Sequence, residues 1–337
     1  MKNFLSVICL LFAINSYSQS VSGTVFDEKK QPLAGANIYF DGTTIATISD
    51  ENGNFVLTTS GKINSLLAIS YMGYQTQYIS NVTSDPLKII LTEANNTLNE
   101  VVIKKDKFSR KEKMQLFRDE FLGRTDNAKL CVIANEDAIH FRYDIASKTM
   151  KAFSDVPLQI SNPSLGYKIV YELVNFEVQF HSETLEPTTI IRSFYAGLSY
   201  FTIDRNSEFV LKNRAKSYQG SQLHFFRSLV NDQLFNENFK LFKKNRTIKQ
   251  SKMFGISDAN DYKKVQISSN LKKDLDSDFK ETIYVLYGHN QSSIVFLTDT
   301  FYVDKFGNNS NIEDIIFTGD FSFRKVGDML PMNYGIE

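Results

Sequence analysis

The sequence has 337 residues in which 38 Lys and Arg balance 38 Asp and Glu, so no net field draws it onto nucleic acid or an anionic membrane. Aromatic residues make up 13%, carried by 28 Phe and 16 Tyr without Trp, and Pro numbers only 6. That composition belongs to a packed, β-rich chain and excludes a disordered one.

The chain opens on a short positive segment, Met1-Lys2-Asn3, followed by an apolar run from Phe4 to Ile14 that only Ser6 interrupts. Ser16 and Ser18 then place small residues three and one before Gln19. This predicts a secretory signal at 1–18 with cleavage between Ser18 and Gln19. The run is too short for a hydrocarbon core that needs about twenty residues. Cys9 sits inside it rather than at its end, which argues against lipidation. Cleavage would leave Cys131 as the single thiol, so no internal disulfide is expected. No later stretch approaches the apolar length of a transmembrane helix, and an exported chain, periplasmic or associated with the outer membrane, is expected.

From residue 20, short runs of alternating or β-branched character recur: 21–26, 36–40, 43–49, 54–59, 65–71, 76–79 and 88–91. Turn signals separate them, among them Pro32 before Leu33-Ala34-Gly35, Asp41-Gly42, and Asp50-Glu51-Asn52-Gly53. Seven strands at this spacing predict a sandwich. Asp50, Asn52 and Asn54 alternate as calcium ligands would, but the twelfth position is Gly61, so a hairpin turn is expected there and no metal.

Gly23, Pro32-Leu33, Gly35-Ala36, Asp50, Gly53, Phe55 and Tyr71-Met72-Gly73-Tyr74 occur in an order that resembles the carboxypeptidase regulatory-like domain, a transthyretin-like sandwich of Bacteroidota envelope proteins. The resemblance runs over residues 20–92. Leu98-Asn99-Glu100-Val101-Val102-Ile103 is similar to the segment that ends this domain in TonB-dependent receptors. A receptor barrel of some twenty-two strands needs far more residues than follow.

Residues 107–123 predict a helix, with Phe108, Met114, Phe117, Phe121 and Leu122 at helical spacing and a charged, solvated remainder. Beyond it the runs 139–143, 167–180, 189–194, 282–288, 293–306 and 314–326 are dense in Tyr, Phe, Ile and Val and predict long antiparallel strands. A second helix is expected over 222–239, carrying Leu223, Phe226, Leu229, Val230, Leu234 and Phe239. The expected fold is mainly β: a seven-stranded transthyretin-like sandwich at 19–96, a linker and helix at 97–124, and a β-rich α+β domain at 125–337. The segments 214–221, 224–229 and 326–331 resemble those of carboxypeptidase-like regulatory domain-containing proteins of the same envelope group, a likeness that implies a family and no activity.

A zinc carboxypeptidase needs a His followed three residues later by Glu. His140, His181, His224 and His289 are followed at that spacing by Tyr143, Thr184, Arg227 and Ser292. The nucleophile elbow, the phosphate loop and the dinucleotide fingerprint are all missing from the sequence. Cys131 lies among Leu130, Val132 and Ile133 and reads as a buried structural thiol. Ser221 reads as the start of a helix. Asp274, Asp276 and Asp278 alternate, but Phe279 takes the place of the loop glycine, so a solvated loop is expected. Lys243, Lys244, Arg246, Lys249 and Lys252 read as an exposed turn and strand face.

His224 and Arg227, one turn apart on the central helix, remain as weak candidates for a polar site. No catalytic residue, cofactor or metal is assigned. The expected function is a non-enzymatic binding or scaffold role in the cell envelope, with an envelope protein or a glycan as partner. The alternatives are a hydrolase with its site in the second domain and, less favoured, a small outer-membrane barrel.

Overall fold

A computed structural model describes residues 19–59, 63, 65–80, 82–83, 85–94, 107–243, 246–268 and 281–336. The expected signal at 1–18, the segment 98–103, Lys244 and Asp274, Asp276 and Asp278 lie outside the described residues. The described residues divide into two compact units, one within 19–41 and 45–94, the other within 42–44 and 107–336.

The first unit holds the seven expected strands: β1 (Gln19–Phe26), β2 (Asn37–Phe40), β3 (Ala46–Ile48), β4 (Asn54–Thr59), β5 (Leu67–Ser70), β6 (Gln77–Ile79) and β7 (Leu87–Ile90). They form two sheets, β4-β1-β7 and β3-β2-β5-β6. In β4 the side chains of Phe55, Leu57 and Thr59 are buried while Asn54, Val56 and Thr58 are exposed, the alternation of a strand with one face on a core. That core includes Val21, Val25, Ile38, Leu57, Ile69 and Ile89. β1 runs antiparallel to β4 and parallel to β7, with Gly23 opposite Leu87. A Cβ on Gly23 would stand 2.4 Å from the Leu87 carbonyl oxygen, so only glycine lets the two strands approach. Between β3 and β4 the Asp50 carboxylate accepts from the amides of Asn52 (2.9 Å) and Asn54 (2.8 Å), which makes the expected hairpin turn of this sequence.

The second unit begins with α1 (Arg110–Phe121), capped by Ser109 in a reciprocal box with Glu112. Phe117 and Phe121 are fully buried against Phe176, Tyr171 and Tyr195, so the helix is part of this unit's core. Its cations are only partly solvated. Arg110 donates to the carbonyls of Ile139 (2.7 Å) and Glu136 (2.8 Å), and Lys113 is buried, a correction to the expected solvated face.

The helix packs on a six-stranded sheet of β8 (Val132–Ile133), β9 (Ile139–Asp144), β10 (Thr149–Ser154), β11 (Leu158–Asn162), β12 (Tyr167–Phe180) and β13 (Ile190–Ile203). The order is β8-β11-β12-β10-β9, and β13 pairs along β12. Residues Tyr167, Ile169, Tyr171 and Leu173 of β12, then Phe176, Val178 and Phe180 after a bulge, face the core.

Two helices follow, α2 (Glu208–Tyr218) and α3 (Gln222–Val230). The helix expected to reach Phe239 stops at Val230. Asp232 and Asn238 take the left-handed conformation (φ 54° and 64°), and Phe239 opens a strand. The remaining strands are β14 (Phe239–Lys243), β15 (Arg246–Ile248), β16 (Phe254–Ala259), β17 (Tyr262–Ile267), β18 (Glu281–Tyr287), β19 (Asn290–Phe296), β20 (Thr300–Asp304) and β21 (Ile315–Gly319). The expected strand over 293–306 is therefore two, and that over 314–326 ends at Gly319 in a helical turn. They build a five-stranded sheet, β15-β14-β18-β19-β21, and a three-stranded one, β16-β17-β20. Both bury Phe226, Phe254, Phe296 and Phe301 in a second core with α3. Lys243, expected on an exposed face, pairs at 2.5 Å with the buried carboxylate of Glu281.

Candidate functional site

The turn Gly220-Ser221 sets α3. Gly220 has φ 70°, and the Ser221 hydroxyl accepts from the His224 amide at 3.1 Å, the cap expected of it. One turn into the helix, the His224 ring is buried among Tyr218, Phe239 and Tyr287, with centroids 4.8, 4.9 and 5.7 Å away. Its Nδ1 accepts from the Gly220 amide at 3.0 Å. The proton therefore sits on Nε2, which donates to the Glu237 carboxylate at 3.1 Å. Burial holds the imidazole below its ordinary pKa, against the pull of Glu237.

Arg227 is buried on the same helix. Its Nε donates to the Phe306 carbonyl (2.9 Å), and its two terminal nitrogens to those of Tyr334 (2.7 Å) and Met332 (2.6 Å). The guanidinium stands 5.4 Å over the Tyr218 ring, which also contacts His224 and Tyr334. The fold thus brings the two candidates together around Tyr218. Both imidazole nitrogens are engaged by groups of the chain itself, and the guanidinium is spread over three carbonyls that fix residues 306 and 332–334 against α3.

Two further polar clusters escaped the sequence. Arg214, on α2, donates to the carbonyls of Leu165 (2.7 Å) and Arg205 (2.9 Å) and lies 3.9 Å over the Tyr167 ring. Asn127 donates to Asp328 (2.8 Å) and Ser217 (3.0 Å), while Thr125 donates to the same aspartate (2.6 Å). Cys131 stands beside this cluster, its Sγ 3.5 Å from the Asn127 carbonyl. Burial and then Asp328 push its thiol up to about 12, which keeps it protonated and inert at neutral pH. Asn213 and Ser164, equally unremarkable in the sequence, close the network.

The outward faces of the two larger sheets are the remaining surfaces of note. On the six-stranded sheet, register puts Phe194, Glu177, Lys151 and Arg142 in one row, with Arg192 beside Phe194. Glu177 lies 3.5 Å from Arg192 and 3.8 Å from Lys151. On the five-stranded sheet the row is Thr247, Phe242, Tyr284, Ser293 and Thr318. Thr282, Val295 and Ile316 form the next row, and Leu286 and Gln291 flank Lys240.

Among known proteins, the family model described as CarboxypepD_reg-like domain matches residues 21–103. The TonB-dependent receptor SusC of Bacteroides thetaiotaomicron is 35% identical over 105 residues, covering 30% of this chain and 10% of the receptor. TonB-dependent receptor P3 of Formosa agariphila is 31% identical over 106 residues, covering 31% of this chain and 10% of that one. A chain of a type II cohesin–X-dockerin complex from Acetivibrio cellulolyticus is 26% identical over 22% of this chain and 58% of its own, with a TM-score of 0.20. The chain spans about a tenth of the length of the curated relatives it matches. The N-terminal region is a carboxypeptidase regulatory-like sandwich, related to the corresponding stretch of TonB-dependent receptors.

Proposed function

We propose that the chain is a non-enzymatic binding or scaffold protein of the cell envelope, exported by the segment 1–18. In this reading the sandwich at 19–96 and the helix within 97–124 precede a binding domain at 125–337. The observation that carries it is the closure of the one polar site the sequence offers. His224 and Arg227 spend their hydrogen bonds on Gly220, Glu237 and three main-chain carbonyls, which makes them a clamp for the fold rather than groups aimed at a substrate. The relatedness to outer-membrane receptors over the sandwich supports placement in the envelope. Among the described residues no helix is long and apolar enough to cross a membrane.

The test is crosslinking in intact cells, followed by fractionation, mass spectrometry of the N-terminus, and identification of what is joined to the chain. A start at Gln19 in the envelope fraction, with a reproducible crosslinked envelope component, is expected. A cytoplasmic chain that keeps residues 1–18 would sink the placement. Chelator-sensitive release of C-terminal residues from peptides would sink the non-enzymatic role.

A further inference from the structure

We infer that the outward face of the five-stranded sheet binds a neutral polysaccharide chain, an inference that rests on the binding role proposed above and gives it a ligand class. Tyr284 is 51% exposed and Ile316 41%, and neither they nor Phe242 and Val295 belong to a core among the described residues. Apolar surface left in water across neighbouring strands marks a contact site rather than scattered exposure.

The chemistry of the face selects the occupant. Phe242 and Tyr284 are directly opposed on β14 and β18, which sets their Cβ atoms about 5 Å apart. They offer flat apolar area of the kind on which the C–H face of a sugar ring can lie. Thr247 flanks them on one side, and Ser293 and Thr318 on the other, where the two hydroxyls lie 2.5 Å apart. Hydroxyls that both donate and accept match the hydroxyls of a sugar.

Charge decides between candidates. Among the described residues, Lys240, at the margin, is the one charged side chain the registers place on this face, while the ion pair of the sheet, Lys243 with Glu281, is turned to the inside. An anionic chain or an acidic peptide would find only Lys240 to pair with among the described residues. A protein partner would find Tyr284, of a type that carries much of the energy at protein interfaces, set among Ser, Thr, Val and Leu, which carry least, and no Arg or Trp among the described residues of the face. Five strands about 4.8 Å apart make a shallow track about 20 Å across, the width of several sugar rings in line.

Affinity electrophoresis of the full chain through gels containing laminarin, dextran, soluble starch or galactomannan tests this, with alginate and polygalacturonate as anionic counterparts and release of reducing ends followed in parallel. Retardation by at least one neutral polymer, unchanged by 0.5 M salt, is expected in the range where stacking on a ring shifts affinity about tenfold. Tyr284→Ala and Ile316→Lys should abolish it, and Lys151→Ala on the other sheet should not. Both face positions are exposed, and circular dichroism of each variant verifies that it folds.

No retardation by any of the four neutral polymers overturns the proposal. So does retardation that survives both face variants, or retardation by the anionic polymers alone that salt removes. Capture of an envelope protein that both face variants lose, without glycan retention, makes the face a protein-docking surface and also overturns it. Release of reducing ends would overturn the non-enzymatic role alone, since the variants still decide the face.

Discussion

On the six-stranded sheet the outward row is tied together by charge, Glu177 standing between Lys151 and Arg192 with Arg142 beyond, whereas the corresponding row of the five-stranded sheet crosses all its strands on Thr247, Phe242, Tyr284, Ser293 and Thr318 without a charge. Inside, the two sheets are alike, with phenylalanines packed edge to face: Phe117 on Phe141 in one core, Phe226 on Phe301 in the other. The contrast shows that a strand's inward pattern answers to folding and its outward pattern is free to serve something else. A solvated face needs charges that keep it soluble and single. A face whose central row lacks them is available to a partner.

The likeness of the interiors is tested by the largest effects. Phe176→Ala in the first core and Phe296→Ala in the second each empty a fully buried site and should cost about 3 to 5 kcal/mol. Both belong to one compact unit, so urea titration followed by tyrosine fluorescence should show the same transition moved in each variant. Two transitions, each responding to one variant, would show that the sheets fold apart.

Removing Arg227 comes next. Arg227→Ala leaves the carbonyls of Phe306, Met332 and Tyr334 without their donor, at about 3 kcal/mol. Arg227→Lys should recover less than half, because an ammonium on a single stem cannot hold three carbonyls in one plane. Full recovery in the lysine variant would reduce the clamp to a point charge.

Acid should weaken the second unit through His224. Its folded pKa is depressed, so the unfolded chain binds the proton more readily, and stability falls as pH drops below about 6.5 until the folded group also titrates. Glu120 acts in the same sense at lower pH. Burial opposes its charge, but Lys325 at 2.5 Å keeps its carboxyl below the usual range, and that stabilisation is lost as pH falls through the folded value. Denaturation midpoints across pH 4 to 8 should slope downward towards acid, and His224→Gln should flatten the part nearest neutrality. A slope that the variant leaves unchanged would place the effect elsewhere.

The outward faces give the smallest effects. Lys151→Ala and Tyr284→Ala should each change stability by less than about 1 kcal/mol. Only the first should lose its effect in 1 M salt, since only the first removes a screened charge. Equal salt dependence in the two would erase the contrast between the faces.

Turn chemistry made the first unit legible: the Asp50 to Gly53 hairpin carries its own hydrogen-bonding instructions, and β4 alternates cleanly. α3 announced its start through Ser221, but its end was hidden because Leu234 and Phe239 continue a helical spacing while the backbone turns left-handed at Asp232 and Asn238. α2 gave no helical stripe. It buries Val210, Arg214 and Ser217 while Phe209 and Leu211 face water, the reverse of the usual apolar pattern. The partners of Arg227 lie 79 to 107 residues away in the chain, and which residues line up across five strands depends on register, which no single strand reveals.

The parallel pairing of β1 with β7 bears on how quickly the first unit forms. β1 cannot find its second neighbour in a local hairpin, because Gly23 pairs with Leu87 and five strands lie between them in the chain. Closing so long a loop is an entropic search that precedes any reward from contact, and chains dominated by such pairings fold in milliseconds to seconds rather than microseconds. Since a Cβ at Gly23 would stand 2.4 Å from the Leu87 carbonyl oxygen, an alanine there would hold β7 away from β1 and leave an edge of the sheet open to pairing with other chains.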